Sequence, residues 1–459
     1  MSHEMTADEA IKEARRCLNC ARPMCRTGCP IENNIPAFNH ALSLGNIGAA
    51  YEIISERSNL PAICGRVCPH EKQCQSHCIL SKKNAGIDIG SLEMFIADFA
   101  QDNDIKPLKS SKKTAGKVAV IGSGPAGLTV AGDLARKDFE VTIFEAQSEP
   151  GGVLMFGIPE FRLPKRVVRR EINTLIHLGV EIRCGVWAGI DFTVDDLFEQ
   201  GYDAIFMGTG TNLPKTLDIP GKDYKNVLTA AYFLQAAILA DTVQEEADKT
   251  LLPAAANVVV VGAGNVAMDA ARTAIRRGAK SVKVIYRKTA AEVAAFPTEF
   301  QAAVDEGVEF CFLKNPVEYF SRKEMRDRGL MEYAEMLPDD DTTLGGVEVE
   351  CFEKTAEGTF LPTGKVDVLP CDSLILAVGQ KPAARIVSTT KGIDIDPKGF
   401  VITRNRPYGM TTRAGVFSSG DVVHGPATVV LAMRESRKVA QGIAEYISAK
   451  KLLQDCHII

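Results

Sequence analysis

Val118-Ala-Val-Ile-Gly-Ser-Gly-Pro-Ala-Gly127 runs a short apolar segment straight into a glycine turn, and Leu128 to Lys137 continue it with helical spacing. A second segment, Glu140 to Phe144, is followed by an acid, Glu145. Strand, G-x-G-x-x-G turn, helix, strand and terminal acid are the parts of a dinucleotide-binding βαβ unit. Gly122, Gly124 and Gly127 permit the tight turn and bring backbone N–H groups and the helix dipole onto a pyrophosphate, while Glu145 is placed to take a ribose diol. The alternative, a purely structural glycine turn, leaves that setting unexplained.

The order recurs. Val258-Val-Val-Val261 leads into Gly262-Ala-Gly264-Asn265-Val-Ala267, a helix through Arg276, and a strand from Ser281 to Tyr286. Here the strand closes on Arg287-Lys288 where an NAD site would usually have an acid. An acid repels a 2′-phosphate and a basic pair attracts it, so this site favours NADP over NAD. The competing reading makes Arg287 and Lys288 a solvated strand end. Two sites need two cofactors. Gly415-Val-Phe-Ser-Ser-Gly420-Asp421 is a strand ending in Gly-Asp, followed by a Gly425-Pro426 turn and a helix from about Ala427. An aspartate there can hold a ribityl chain, and the helix N-terminus can face the electron-rich side of a flavin ring. The first site therefore takes FAD and the second NADPH. Ala204 to Gly210 and Leu374 to Gly379 look like crossovers, which inserts the nucleotide domain in the flavin domain.

Eight of the 13 cysteines stand upstream of both sites, as Cys17-x2-Cys20-x4-Cys25-x3-Cys29-Pro30 and Cys64-x3-Cys68-x5-Cys74-x3-Cys78. Disulfides would suit a secreted chain, yet residues 1 to 16 are polar and charged and read as no signal peptide. Structural zinc usually takes paired C-x2-C knuckles, and only the first pair has that spacing. Closely spaced runs ending in Cys-Pro suit iron-sulfur cubanes. The other five cysteines are isolated and read as small buried hydrophobes of a reducing cytoplasm.

The 459 residues allow roughly three domains. A net charge of −5 gives no nucleic-acid surface, and no apolar run approaches a membrane span. The expected fold is α/β: a helical double-cubane iron-sulfur domain over 1–110, an FAD-binding domain over 117–212 and 375–459, and an NAD(P)-binding domain over 213–374, the last two Rossmann-like and doubly wound. In the first, Thr6-Ala-Asp-Glu9 has capping-box form and opens a helix. Ile35 to Arg57 reads as two short helices broken near Gly45 and Gly48, and a further helix begins near Ile89 or Gly90. The polar, lysine-rich stretch from Gln101 to Gly116 reads as a linker.

Taken together, Cys64-Gly-Arg-Val-Cys-Pro69, the first fingerprint, Pro150-Gly-Gly-Val-Leu-Met-Phe-Gly-Ile-Pro159, Phe161-Arg-Leu-Pro-Lys165, Gly264-Asn-Val-Ala-Met-Asp269 and Gly420-Asp421 resemble one flavoprotein family over essentially the whole chain. It is the small (beta) subunit family of NADPH-dependent glutamate synthase. Relatives include the large subunit of the bifurcating NADH-dependent reduced-ferredoxin:NADP oxidoreductase and the N-terminal part of dihydropyrimidine dehydrogenase. The resemblance implies two 4Fe-4S clusters with interleaved ligands. Cys17, Cys20 and Cys25 would share the first with Cys78. Cys29, Cys68 and Cys74 would hold the second, with Glu93 as the fourth ligand and Cys64 left over. The FAD candidates are Gly122, Gly124, Gly127, Glu145, Gly152, Gly420, Asp421 and Thr428. Those for NADP are Gly262, Gly264, Asn265, Ala267, Arg287 and Lys288.

The function these readings imply is an NADPH-oxidising electron-input subunit. Hydride passes from NADPH to FAD, and single electrons leave through the clusters to a partner, first a large glutamate synthase subunit or otherwise another flavin and iron-sulfur subunit. No catalytic side chain is expected, because such a step needs stacking and exclusion of water rather than a protein acid or base. The competing functions are the bifurcating oxidoreductase's large subunit, the accessory subunit of a dihydropyrimidine dehydrogenase, and, from a different class, a metal-stabilised interaction module.

Overall fold

The computed structural model describes residues 3–83, 85–109, 112–242, 252, 255–330, 340–383 and 390–457. It divides into two compact units: Met1–Met155 with Glu160–Leu213 and Lys381–Ile459, and Phe156–Pro159 with Pro214–Gln380. The cysteine-rich helices share the first unit with the flavin-type sheet. Residue 110, where the sequence suggests that the helical domain ends, lies outside the described residues.

The first helix, Ala7–Ala14, opens on a reciprocal capping box: Glu9 N donates to Thr6 Oγ1 at 3.3 Å and Thr6 N to the Glu9 carboxylate at 2.8 Å. Helices Ile35–Ser43 and Ile47–Ser55 are separated by a turn at Gly45, whose φ of 79° is left-handed. They pack Phe38, Leu42 and Ile54 against Leu92, Ile96 and Ala100 of helix Ile89–Asp102, with Cys74 inside that core and Cys17, Cys25, Cys29 and Cys78 at its edge.

The sheet of this unit has seven strands in the order Thr403–Asn405, Tyr408–Thr411, Val416–Ser418, Ala204–Met207, Gly116–Ile121, Phe139–Glu145 and Val180–Cys184. The last five are parallel, with Val120 between Phe206 and Ile143. Residues 118–121 are buried throughout, which is why they read as an unbroken apolar run rather than an alternation. Helix Pro125–Ala135 follows at once, and the sheet is backed by the 27-residue helix Val429–Asp455.

A buried polar seam ties the cysteine-bearing helices to this sheet. Asn59 Nδ2 donates to Thr129 O at 3.3 Å and to the Asp133 carboxylate at 2.7 Å. Arg437 pairs with Asp133 at 3.2 Å and donates to Arg57 O at 2.8 Å. Ala62 N donates to the Glu171 carboxylate at 2.5 Å. A Cβ at Gly132 would stand 2.6 Å from the Asn59 amide carbon, so glycine permits this approach.

The second unit holds five parallel strands in the order Val227–Thr229, Ser373–Leu376, Asn257–Val261, Ser281–Tyr286 and Glu309–Phe312. The boundary expected between 374 and 375 must be corrected. Ser373–Leu376 lies between two neighbours here, with Leu374 opposite Val259 and Val227, so that boundary cuts a strand and the unit continues to Gln380. The apolar Ser-Leu-Ile-Leu run was the sign of a central parallel strand, buried on both faces. An antiparallel sheet of Lys314–Ser321, Leu344–Lys354 and Phe360–Pro370 also interrupts the strand-helix alternation expected from Lys117 onward. No described helix is long and apolar enough to cross a membrane.

Candidate functional site: thiol clusters and two nucleotide cradles

Around the short helices Met24–Gly28 and Pro61–Val67 the cysteines fall into two neighbourhoods. Burial pushes the Cys25 thiol up to about 11, and the thiols of Cys17, Cys78 and Cys20 push it the same way. These four also line one cavity of about 100 Å³. Burial pushes Cys29 up to about 12, with Glu93 and Cys64 adding to the effect. Cys74 is raised by burial first and then by Cys29 and Glu93. Cys68 is raised first by a hydrogen bond with Cys64, then by burial, Cys64's charge, Glu93 and Cys29. The fold thus draws Cys29, Cys64, Cys68, Cys74 and Glu93 together, and burial alone pushes the Glu93 carboxyl up to about 8. Buried thiols and carboxyls of this kind lose their protons on binding a metal, whose charge offsets the desolvation, so both donor sets fit iron-sulfur ligation. Among the described residues no three His, Cys, Asp or Glu side chains are drawn in as the ligands of a single ion. Cys64 is 2% exposed, and its sulfur lies 3.5 Å from Met433 Sδ and 4.0 Å from Ser58 Oγ.

The first fingerprint opens into a cradle. A Cβ at Gly127 would stand 1.9 Å from Gly122 O, so glycine is required there, whereas a Cβ at Gly124 would meet nothing within 4 Å, which leaves room for a ligand. The turn is latched by Ser123. Its N and Oγ donate to Glu145 Oε2 at 2.9 and 2.5 Å, and its Oγ accepts from Gly151 N at 2.8 Å. Gln147 N donates to Glu145 Oε1 at 2.8 Å, which uses three of about four acceptor positions on the carboxylate and leaves one for a ribose hydroxyl. Gly152 approaches the fingerprint so closely that a Cβ would stand 3.0 Å from Gly124 Cα, and one at Gly420 would stand 2.9 Å from Ala126 Cβ. Asp421 begins the short helix Asp421–His424, which comes before the expected one. Burial pushes the Asp421 carboxyl up to about 6, opposed by the 3.3 Å bond from Ala427 N. Thr428 caps the helix that starts at Val429, and its buried hydroxyl has no partner among the described residues; Thr209 shares that condition. Unpaired buried hydroxyls beside a glycine cradle fit a polar cofactor such as FAD.

In the second unit Gly264 also faces open space. Asn265 Oδ1 accepts from Phe296 N at 2.8 Å, and the N–H groups of Ala294 and Ala295 donate to Ala263 O, so the 294–296 loop is fixed beside the turn. Ala267 is fully buried where the first site has a glycine. Arg287 is exposed and Lys288 half-buried at the end of Ser281–Tyr286. Among the described residues no ion pair engages either, so both are available to an anion.

Residues 1–105 match the family described as dihydropyrimidine dehydrogenase domain II, 4Fe-4S cluster. Residues 116–436 match pyridine nucleotide-disulphide oxidoreductase. The glutamate synthase [NADPH] small chain of Halomonas elongata is 36% identical over 96% of this chain and 91% of its own. The chain belongs to the glutamate synthase small-chain family. The family reaches wider than that name: the NAD-dependent dihydropyrimidine dehydrogenase subunit PreT of Escherichia coli is 33% identical over 95% of this chain and 94% of its own. Among solved structures, Mycobacterium tuberculosis FprA in complex with NADPH aligns with TM-score 0.58 and 17% identity over 73% of this chain and 86% of that one, a likeness of fold. The cofactors these matches support are 4Fe-4S iron-sulfur, FAD and NADPH.

Sequence reasoning gave no role to Ser123, Thr209, Asn39 or Glu171. Ser123 sits inside the quoted fingerprint, where an x position carries no signal. Glu171 has meaning only through Ala62 N, far along the chain, and Thr209 and Asn39 only through the buried places in which their polar atoms stand unpartnered among the described residues.

Proposed function

We propose that this chain is an NADPH-oxidising electron-input subunit, the small subunit of a glutamate synthase. The observation that carries the reading is the packing of both thiol groups into the same compact unit as the flavin cradle, joined by the Asn59, Asp133, Arg437 and Glu171 seam. With FAD, NADPH and two 4Fe-4S clusters bound, the chain has a hydride acceptor and one-electron carriers.

Its own residues bind and orient. Gly124 and Gly264 leave room for pyrophosphates, with helices Pro125–Ala135 and Asn265–Arg276 pointing their positive ends there. Glu145 holds a ribose, Gly152 and Gly420 close on the same cradle, Asp421 takes the ribityl chain, and Thr428 with its helix end faces the flavin ring. Arg287 and Lys288 grip a 2′-phosphate, which favours NADPH over NADH. Cys17, Cys20, Cys25 and Cys78 hold one cluster; Cys29, Cys68, Cys74 and Glu93 hold the other.

Relatives are named as small chains and subunits, which supports a partner protein as acceptor. The surface around the first thiol group suits one: Leu18, Met24 and Ile79 are exposed by 61%, 56% and 52%, and with Arg22 they line the cavity of Cys17, Cys20, Cys25 and Cys78. Mixing the loaded chain with a large glutamate synthase subunit should give NADPH-dependent glutamate formation. NADPH oxidation that such a subunit leaves unchanged, but that a pyrimidine-reducing or ferredoxin-linked subunit stimulates, would contradict the assignment.

A further inference from the structure

Asn39 lies on helix Ile35–Ser43 and is 0% exposed. Its Nδ2 and Oδ1 both lack a partner among the described residues. It also lines the cavity shared by Cys17, Cys20, Cys25 and Cys78. A primary amide brings two donors and a two-lone-pair acceptor into the core, and leaving all of them unpaired is among the more expensive things a fold can do. The cavity is also lined by Ile35, Pro36, Ile87 and Ile89, whose side chains offer an amide no hydrogen bond. An apolar residue of the same size would fill this place without penalty, so the amide calls for a polar group in the cavity.

We propose that the Asn39 side chain donates a hydrogen bond from Nδ2 to a sulfur of the first 4Fe-4S cluster and thereby raises that cluster's reduction potential. The inference rests on the cluster reading and adds to it a residue that positions charge rather than one that ligates. The amide orientation follows from the same chemistry: cluster sulfurs carry negative charge and accept hydrogen bonds, so the oxygen turns away and the N–H groups turn in. Reduction adds one electron to the cluster, and a fixed donor stabilises the more negative form more strongly, which moves the potential upward. Asn39 lines the cavity of Cys17, Cys20, Cys25 and Cys78, so the effect of changing it belongs to the first cluster.

The test is an anaerobic redox titration followed by electron paramagnetic resonance on the loaded chain and on Asn39→Leu, Asn39→Asp and Asn39→Gln. Iron content should stay at the unmodified level in Asn39→Leu, because no ligand is lost, while the midpoint potential of the first cluster shifts downward and that of the second holds. Asn39→Asp should shift it further down, and Asn39→Gln should restore part of the loss. An unmoved potential in Asn39→Leu, or an equal shift in both clusters, would overturn the proposal. If Asn39→Leu fails to hold iron, pulsed resonance on unmodified protein grown with 15N-asparagine decides. A side-chain 15N coupling in the first cluster's signal supports the bond, and its absence refutes it. Unmodified protein without any cluster signal would instead refute the cluster reading itself.

Discussion

At the scale of single residues, Cys64 and Cys78 are equivalent in spacing and different in place. Cys78 shares the cavity of the first thiol group, whereas Cys64 touches Met433 and hydrogen-bonds with Cys68. Cys78→Ser should destroy or convert one cluster. Cys64→Ser should keep both at a modest packing cost, since a spare buried cysteine behaves as a small hydrophobe. Resonance on dithionite-reduced variants checks this, and a signal lost in Cys64→Ser but kept in Cys78→Ser would overturn the interleaved ligands. Arg287→Asp should weaken NADPH by roughly 1.5–3 kcal/mol, about ten- to a hundredfold, because a charge-assisted bond to the 2′-phosphate is lost. NADH binding should be unchanged or improved; an equal loss for both nucleotides in a direct titration would make Arg287 structural. Arg287 was legible in the sequence because its signal is a position relative to a strand end. Asn39 was not, because an asparagine within a helix means nothing until the cavity it lines is known.

At the scale of elements, helix Lys165–His177 meets helix Pro61–Val67 through one carboxyl. Burial pushes Glu171 up to about 8, outweighing the bond from Ala62 N that favours the charged form. The unfolded value is near 4.3, so between about pH 4.3 and 8 the folded chain binds the extra proton. The contribution of Glu171 to stability is therefore complete below that window and is lost as pH rises through it, at no more than about 1.4 kcal/mol per pH unit. Glu171→Gln, which mimics the neutral acid, should flatten the dependence of Tm on pH between 5 and 8. Parallel curves for the two proteins would show that the carboxyl does not titrate there. The neighbouring elements show what sequence can and cannot convey. The Thr6–Glu9 cap, the two helices either side of Gly45 and the fingerprint strands are local patterns and were legible to within a few residues. Ser373–Leu376 looked like an exit from its domain because an apolar run does not say which sheet will bury it. The antiparallel sheet of residues 314–370 pairs consecutive strands directly and broke the expected alternation.

At the scale of the whole molecule, the sequence announced which chemistries are present, through cysteine runs and two glycine turns, but not how the cysteine-bearing helices join the flavin sheet. That junction depends on Asn59, Asp133, Glu171 and Arg437, which lie up to hundreds of positions apart and form no motif. Its consequence is the central claim: electrons delivered by NADPH to this chain reach its own clusters. An anaerobic NADPH titration of the purified, loaded protein, followed by absorbance and low-temperature resonance alongside iron and flavin analysis, tests it most directly. FAD and about eight irons per chain should be found, with NADPH bleaching the flavin and bringing up a reduced cluster signal. About four irons, zinc in place of iron, or a bleached flavin with no electron on any cluster would contradict the account.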